Sequence, residues 1–301
     1  MKITIITSEP LGSYHLAPLY QAMKKSSAHF THLIPYPEKT QGEPWLRVTS
    51  DLSIIKDTDK LIVAGGGFSA WSQAIISQAN RLGVPVILTE LALGGGFAHQ
   101  GDLTINGYTV IGEDSKKLLL TSGIKKIIEV TGTPQLDSIL PWKPSPNSFL
   151  LLSTSARAER DPSELLFKVG SYLVDKGHQV TVRPHPREDK SIWNGFIIDN
   201  SPNITEVASG SSIVVAYPGT PVPIVAATGV PIIGCVPNLE FKKVLSVNQN
   251  KIFSNWISEL RSIGEIVSTA KPADPFLVKQ IVGPIGDSAN RIVNYWLNFK
   301  I

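Results

Sequence analysis

Short runs of β-branched and aliphatic residues alternate with longer amphipathic stretches along the whole chain, and that alternation leaves few folds open. Strands that take turns with helices favour crossover connections, so the pattern predicts an α/β protein with mainly parallel sheets. In the first half, strands are expected over 3–7, 60–64, 85–88, 109–111 and 127–131, with helices over 17–25, 69–81 and 114–122. Ser69 and Asp114 are read as N-caps, because their side-chain oxygens can accept backbone N–H bonds at a helix start. The stretch Pro141-Trp142-Lys143-Pro144-Ser145-Pro146-Asn147 holds three prolines, cannot sit inside a helix, and reads as an interdomain linker. The second half restarts with a strand over 149–152, a helix over 163–176 and a strand over 179–183. A strand over 212–216, a helix over 222–228 and a strand over 231–234 follow, then two helices over 253–263 and 288–298. The expectation is two Rossmann-like domains, 1–142 and 146–285, with a terminal helical segment over 286–301 that docks back on the first domain.

Composition narrows the function classes. At 301 residues the chain is long enough for two cores, and a net charge of +3 does not suggest nucleic-acid binding. The single cysteine, Cys235, excludes intramolecular disulfides and any cysteine-based zinc site, and fits a buried thiol in a reducing cytosol. The first residues, MKITIITSEP, are too short an apolar run for a secretory signal, and no run is long enough to span a bilayer. The expected location is the cytoplasm. Trp193 and the tail Tyr295–Ile301 either touch the inner face of a membrane or pack inward, and packing is favoured because apolar terminal helices usually dock.

In open α/β sheets, ligands bind at the carboxyl ends of strands, and several unusual segments fall there. Ser8-Glu9-Pro10-Leu11-Gly12-Ser13-Tyr14-His15 follows the first strand, Gly65-Gly66-Gly67 the second, and Glu90 through Gly94-Gly95-Gly96 the third. Neither glycine triplet carries the GxGxxG pattern with an acid about 20 residues on, so a dinucleotide fingerprint is not supported. They are either tight strand-to-helix turns or, beside Glu90 and His15, the wall of a cleft. In the second half, Ser153-Thr154-Ser155-Ala156-Arg157 offers three hydroxyls and a guanidinium suited to phosphate oxygens. Arg183-Pro184-His185-Pro186-Arg187 holds a histidine between two prolines, in an extended loop. Tyr217-Pro218-Gly219-Thr220 leads into a helix whose first N–H groups are expected to face an anion.

Three of these segments carry a resemblance. Val130-Thr131-Gly132-Thr133-Pro134-Gln135-Leu136-Asp137 resembles the segment that closes the N-terminal domain of GT-B glycosyltransferases. Val182-Arg183-Pro184-His185-Pro186 is similar to the His-Pro motif of the branch containing CDP-glycerol glycerophosphotransferases, bacterial sialyltransferases and capsule Kdo transferases. Ser212 to Gly234 looks like the donor-binding helix of that fold and the strand after it. The resemblance implies a GT-B-like α/β fold, two Rossmann-like domains with mainly parallel sheets facing each other across a cleft. One departure stands out: the glutamate that holds the donor ribose in many GT-B enzymes is Pro223 here.

The leading expectation is a glycosyltransferase, or glycerophosphate transferase, using a CMP- or CDP-linked donor in polysaccharide or glycolipid synthesis. The donor would be a substrate, and no cofactor or metal is expected. Ser153, Thr154, Ser155, Arg157, Arg183, Pro218, Gly219 and Thr220 are assigned to the nucleotide, with His185 stabilising the leaving group. An acceptor hydroxyl must lose a proton, and Glu90 is the first choice of base, with His15 and Asp102 behind it. Gly66, Gly67, Gly95 and Asp102 are assigned to a glycan or lipid-linked glycan acceptor. Glu113 and Asp114 are read as acids that complement a helix dipole. Two alternatives stand beside this: a UDP-sugar 2-epimerase, which shares the layout, and a sugar-nucleotide-binding module without catalysis.

Overall fold

The computed structural model describes residues 1–7, 16–35, 43–65, 69–91, 103–154, 162–186, 188–245 and 247–300. The chain divides into two compact units, Met1–Asp137 with Val282–Ile301, and Ser138–Ile281.

The first unit contains β1 (Lys2–Ile6), β2 (His29–Leu33), β3 (Arg47–Thr49), β4 (Lys60–Ala64), β5 (Val86–Thr89), β6 (Gly107–Val110) and β7 (Ile127–Val130), in the sheet order β3-β2-β1-β4-β5-β6-β7. Every pairing is parallel. Side chains alternate between two cores, as the period of two in a strand requires. Ile3, Ile5, Ile62 and Ile87 enter one core, and Ile6, Leu61, Val63 and Leu88 the other. Helix α1 (Tyr20–Lys25) covers the first face, while α2 (Ala70–Arg81) and α3 (Glu113–Thr121) cover the second. Ser69 caps α2, its Oγ accepting the Ser72 N–H at 3.1 Å. Asp114 does not cap α3: Gly112 holds that position, and Glu113 and Asp114 lie in the first turn.

The second unit contains β8 (Ser148–Leu152), β9 (Gln179–Arg183), β10 (Ile197–Ile198), β11 (Ile213–Ala216), β12 (Ile232–Cys235) and β13 (Asn255–Ile257), in the order β10-β9-β8-β11-β12-β13, again all parallel. Its helices are α4 (Pro162–Asp175), α5 (Ile204–Gly210), α6 (Pro221–Ala226), α7 (Val247–Ile252), α8 (Ile263–Ser268) and α9 (Pro275–Val282). The helix expected over 253–263 is instead β13 followed by a turn into α8. Gly234 lets β13 pack close: a Cβ there would stand 2.4 Å from Trp256 Cε3, so the Trp256 ring closes over the bare backbone. Cys235 is buried in this core, and burial pushes its thiol up to about 12.

The segment read as an interdomain linker is hydrogen-bonded along the second unit. Pro141, Pro144 and Pro146 have no N–H, but Trp142, Lys143 and Ser145 donate theirs to the carbonyls of Thr228, Ser209 and Gly210. The Trp142 indole N–H adds a bond to the Ser211 carbonyl at 2.8 Å. The chain passes between units at Asp137–Ser138, ahead of these prolines.

After α9 the chain re-enters the first unit as α10 (Ser288–Asn298), which packs Ile292, Val293 and Trp296 into the same core as α1. Both of its ends are held. The Asp137 carboxylate accepts the Ser288 N–H at 2.6 Å and the Ala289 N–H at 2.9 Å, and Lys60 Nζ donates to the Trp296 and Leu297 carbonyls at 2.8 Å each. Burial lowers the pKa of Lys60, opposed by nearby Asp59 and reinforced by Lys300. The approach to α10 is tight. A Cβ on Gly132 would meet the Pro284 carbonyl at 2.2 Å and one on Gly283 the Ile111 carbonyl at 2.0 Å, and both glycines have positive φ. The GT-B-like segment ending in Asp137 therefore works here as the seat of the last helix. Of the residues that offered a membrane contact, Trp193, Trp296 and Phe299 are buried in the cores. No helix among the described residues is long and apolar enough to cross a membrane. Asp137→Ala is expected to cost about 1–2 kcal/mol by uncapping α10. Urea unfolding measures this, and an unchanged midpoint would show that the cap contributes nothing.

Candidate functional site

Each sheet reverses its strand order once, and the reversal leaves a crevice at the carboxyl ends of the two strands concerned. In the first unit these strands are β1 and β4, followed by Thr7 and Gly65; in the second they are β8 and β11, followed by Ser153 and Tyr217. The Tyr217 N–H donates to the Leu152 carbonyl at 3.1 Å, which joins the two second-unit segments at their start.

The organiser of the second site is a residue that sequence reasoning missed, Glu188. Its Oε1 accepts the hydroxyls of Ser153 and Ser163, each at 2.7 Å, and its Oε2 accepts the His185 backbone N–H at 3.0 Å. The Glu188 N–H returns a bond to the His185 carbonyl at 2.9 Å. Pro184 and Pro186 have no N–H, so the His185 amide is the one backbone donor of that tripeptide, and Glu188 takes it. The spacing of three residues after a proline-flanked histidine was the available signal. Ser153 and His185, predicted to act together, are thus brought together through one carboxylate. Ser153 has a single hydroxyl proton, and here that proton is donated to Glu188. Thr154 is half-buried beside it.

Arg183 is also engaged elsewhere. Its Nη1 pairs with Asp199 at the end of β10 and donates to Ser201 Oγ at 3.3 Å, so this nitrogen fastens one strand end to the next. Burial works against the charged form of Asp199, but the Ser201 amide and hydroxyl together with Arg183 outweigh it and hold the carboxyl below its ordinary value. The anion cradle expected at α6 is weaker than the sequence reading made it. Pro221 and Pro223 lack N–H groups, and the Val222 N–H is bonded to the Gly219 carbonyl at 3.1 Å. Pro218 is buried and Gly219 exposed, leaving the loop at Gly219 and Thr220 as the accessible part.

In the first unit, Glu90 stands at the end of β5 but only 2% exposed. Its Oε2 accepts the Ile111 N–H at 2.8 Å and its Oε1 the Ser115 hydroxyl at 3.0 Å, which ties the end of β6 to the first turn of α3. This geometry gives Glu90 a structural task in place of the solvent-reachable one expected of a base. Glu90→Ala leaves the Ile111 amide unpaired and is expected to cost about 1–3 kcal/mol. Glu90→Gln should be milder, because the Ser115 hydroxyl can turn to accept from the amide; equal midpoints for both variants in urea unfolding would refute this assignment.

Beside the first crevice lies a second pair that the sequence did not flag. Thr7 Oγ1 and His32 Nε2 share a hydrogen bond of 2.7 Å, both side chains buried, and among the described residues His32 Nδ1 has no partner. Burial lowers the His32 pKa from 6.5 to about 4. Between those values the unfolded chain binds a proton that the folded chain refuses. Stability is therefore full above pH 6.5 and falls as pH drops to about 4, by roughly 3 kcal/mol in total. Urea midpoints across that window should fall in the parent and flatten in His32→Gln; parallel profiles would exclude His32 as the cause.

His15, Gly66, Gly67, Gly95, Asp102, Ser155 and Arg157 lie outside the described residues. Among the described residues no group of three or more metal-ligating side chains is gathered.

No protein-family model matches this chain, and no curated protein does. Solved structures do. The UDP-GlcNAc 2-epimerase of Methanocaldococcus jannaschii matches with a TM-score of 0.66 at 16% identity, covering 99% of this chain and 100% of that one. Staphylococcus aureus MnaA in complex with UDP matches at 0.64 and 16%, covering 99% and 97%. MurG of Acinetobacter baumannii matches at 0.58 and 12%, covering 99% of each. With two parallel Rossmann-like units of this strand order, the chain has the GT-B fold. The narrower resemblance, to the His-Pro branch with a CMP- or CDP-linked donor, is not upheld. UDP-GlcNAc 2-epimerases recur among the similar structures, and they overturn the cytidine-donor transferase as the leading reading.

Proposed function

We propose that this protein is a nucleotide-sugar enzyme of the UDP-sugar 2-epimerase type, binding a UDP-linked N-acetylhexosamine and inverting its C2 centre. The observation that carries the reading is a likeness to UDP-GlcNAc 2-epimerases over nearly the whole of both chains, combined with a polar strand-end crevice in the second unit. Inverting C2 requires a base to remove its proton while the C1–O bond to the diphosphate breaks, so that the electron pair forms a C1–C2 double bond and negative charge passes to the UDP. The UDP then re-adds at C1 as an acid returns the proton to C2 on the other face, and donors aimed at the diphosphate stabilise the transient charge. In this reading the nucleotide lies across the ends of β8 and β11. His185 and the Gly219–Thr220 loop face its phosphates, and Ser155 and Arg157, which follow β8 in sequence, join them. Ser153 accepts a hydrogen bond from the ligand. Proton transfer at a sugar carbon is acid–base chemistry, so the reading assigns no resident cofactor.

Two measurements test it. UDP at about 100 times its dissociation constant should stabilise the native state by roughly 2.7 kcal/mol, and more than CMP or CDP at equal concentration. Proton NMR of UDP-GlcNAc with the protein in heavy water should show loss of the C2 proton signal as deuterium enters, together with signals of the second epimer. UDP binding without exchange at C2 would leave a binding module, and the absence of UDP binding would remove the reading altogether.

A further inference from the structure

We propose that Glu188 is the positioning residue of the second-unit site, fixing His185 against the end of β8 and the start of α4; this rests on the nucleotide-sugar reading above. Three separate chain segments converge on one carboxylate: Ser153 after β8, Ser163 in the first turn of α4, and His185 after β9. Two of these bonds measure 2.7 Å, the short length of hydroxyl-to-carboxylate hydrogen bonds. The third bond takes the backbone N–H of His185 itself, at 3.0 Å. Flanking prolines have no N–H, so the His185 amide is the one backbone donor of its tripeptide, and Glu188 takes it. Cutting this tether frees the histidine relative to the strand that carries the rest of the site. Glu188 acts by accepting hydrogen bonds, and the chemistry is left to His185.

That division of labour separates the variants. In Glu188→Gln the amide oxygen can take the His185 N–H, while the amide hydrogens face Ser153 and Ser163, whose hydroxyls can turn to accept them. Glu188→Ala removes all three tethers. Turnover should fall about tenfold or more in Glu188→Ala with KM within about threefold, and stay within about threefold of the parent in Glu188→Gln. His185→Gln combined with Glu188→Ala should be no slower than His185→Gln alone, because one residue works through the other. If Glu188→Ala does not fold, Ser163→Ala cuts the tie between the carboxylate and α4 without touching a residue assigned to the ligand, and should lower turnover in the same direction. Parent-like turnover in Glu188→Ala, or additive losses in the double variant, would overturn the proposal. Equal losses in Glu188→Gln and Glu188→Ala would make the charge of Glu188 the active feature and overturn it as well. A ligand-free readout keeps the two readings apart. Imidazole nitrogen–proton spectra should show the His185 signals shifted or broadened in Glu188→Ala, with those of His29 and His178 unchanged. An unperturbed His185 would sink the positioning role, whereas a parent protein that does not bind UDP would sink the functional reading while this spectrum still decides the tether.

Discussion

Parallel pairing is the constraint from which the rest of this structure follows. Every strand pair among the described residues is parallel, so each strand-to-strand connection must cross from one end of the sheet to the other. The crossovers bring helices onto the sheet faces, and the carboxyl ends of all strands in a sheet gather on one edge. Polar loops can therefore collect on that edge while the strands stay apolar. Reversal of strand order then opens a crevice in each unit, between β1 and β4 and between β8 and β11.

A parallel sheet needs cover on both faces, and in the first unit part of that cover comes from the far end of the chain. Trp296 is buried in the core with Ile3 and Ile5, and its indole N–H reaches the Thr89 hydroxyl at 2.8 Å. Thr109 Oγ1 donates to the same Thr89 oxygen at 2.9 Å, so α10 is bonded into the middle of the sheet as well as packed on it. Asp137 and Lys60 complete the arrangement by neutralising the two polar ends of the helix. Arg291 adds a bond from its Nε to the Thr131 carbonyl at 2.9 Å. The GT-B-like segment in this region thus has a plain mechanical use in this chain: it makes room for, and caps, the returning helix.

The two glutamates at strand ends show why residue type and position alone do not assign chemistry. Glu90 and Glu188 both follow strands, and both accept several hydrogen bonds. Glu90 is enclosed and joins β6 to α3, which is a task of folding. Glu188 is half-buried and joins three segments at the crevice edge, one of them the loop of His185. What separates them is the location and exposure of their partners.

By itself the sequence determined the α/β class, most of the central strands, the helix over 288–298 and the strand-end placement of the polar segments. These are local properties: β-branched runs, a period of 3.6 or 2, and turn residues between them. The edge elements were less legible. His29-Phe30-Thr31-His32-Leu33 carries two histidines and reads as polar, and the two-residue β10 and three-residue β3 and β13 are too short to show a period. Only the tertiary structure decided which polar groups remain available. Glu90 meets Ser115 across 25 residues, Glu188 meets Ser153 across 35, Arg183 meets Asp199 across 16, and Lys60 meets Trp296 across 236. A hydrogen bond between distant residues leaves no periodic trace in the chain, because its geometry is set by how strands stack side by side and not by the spacing between the residues that form it.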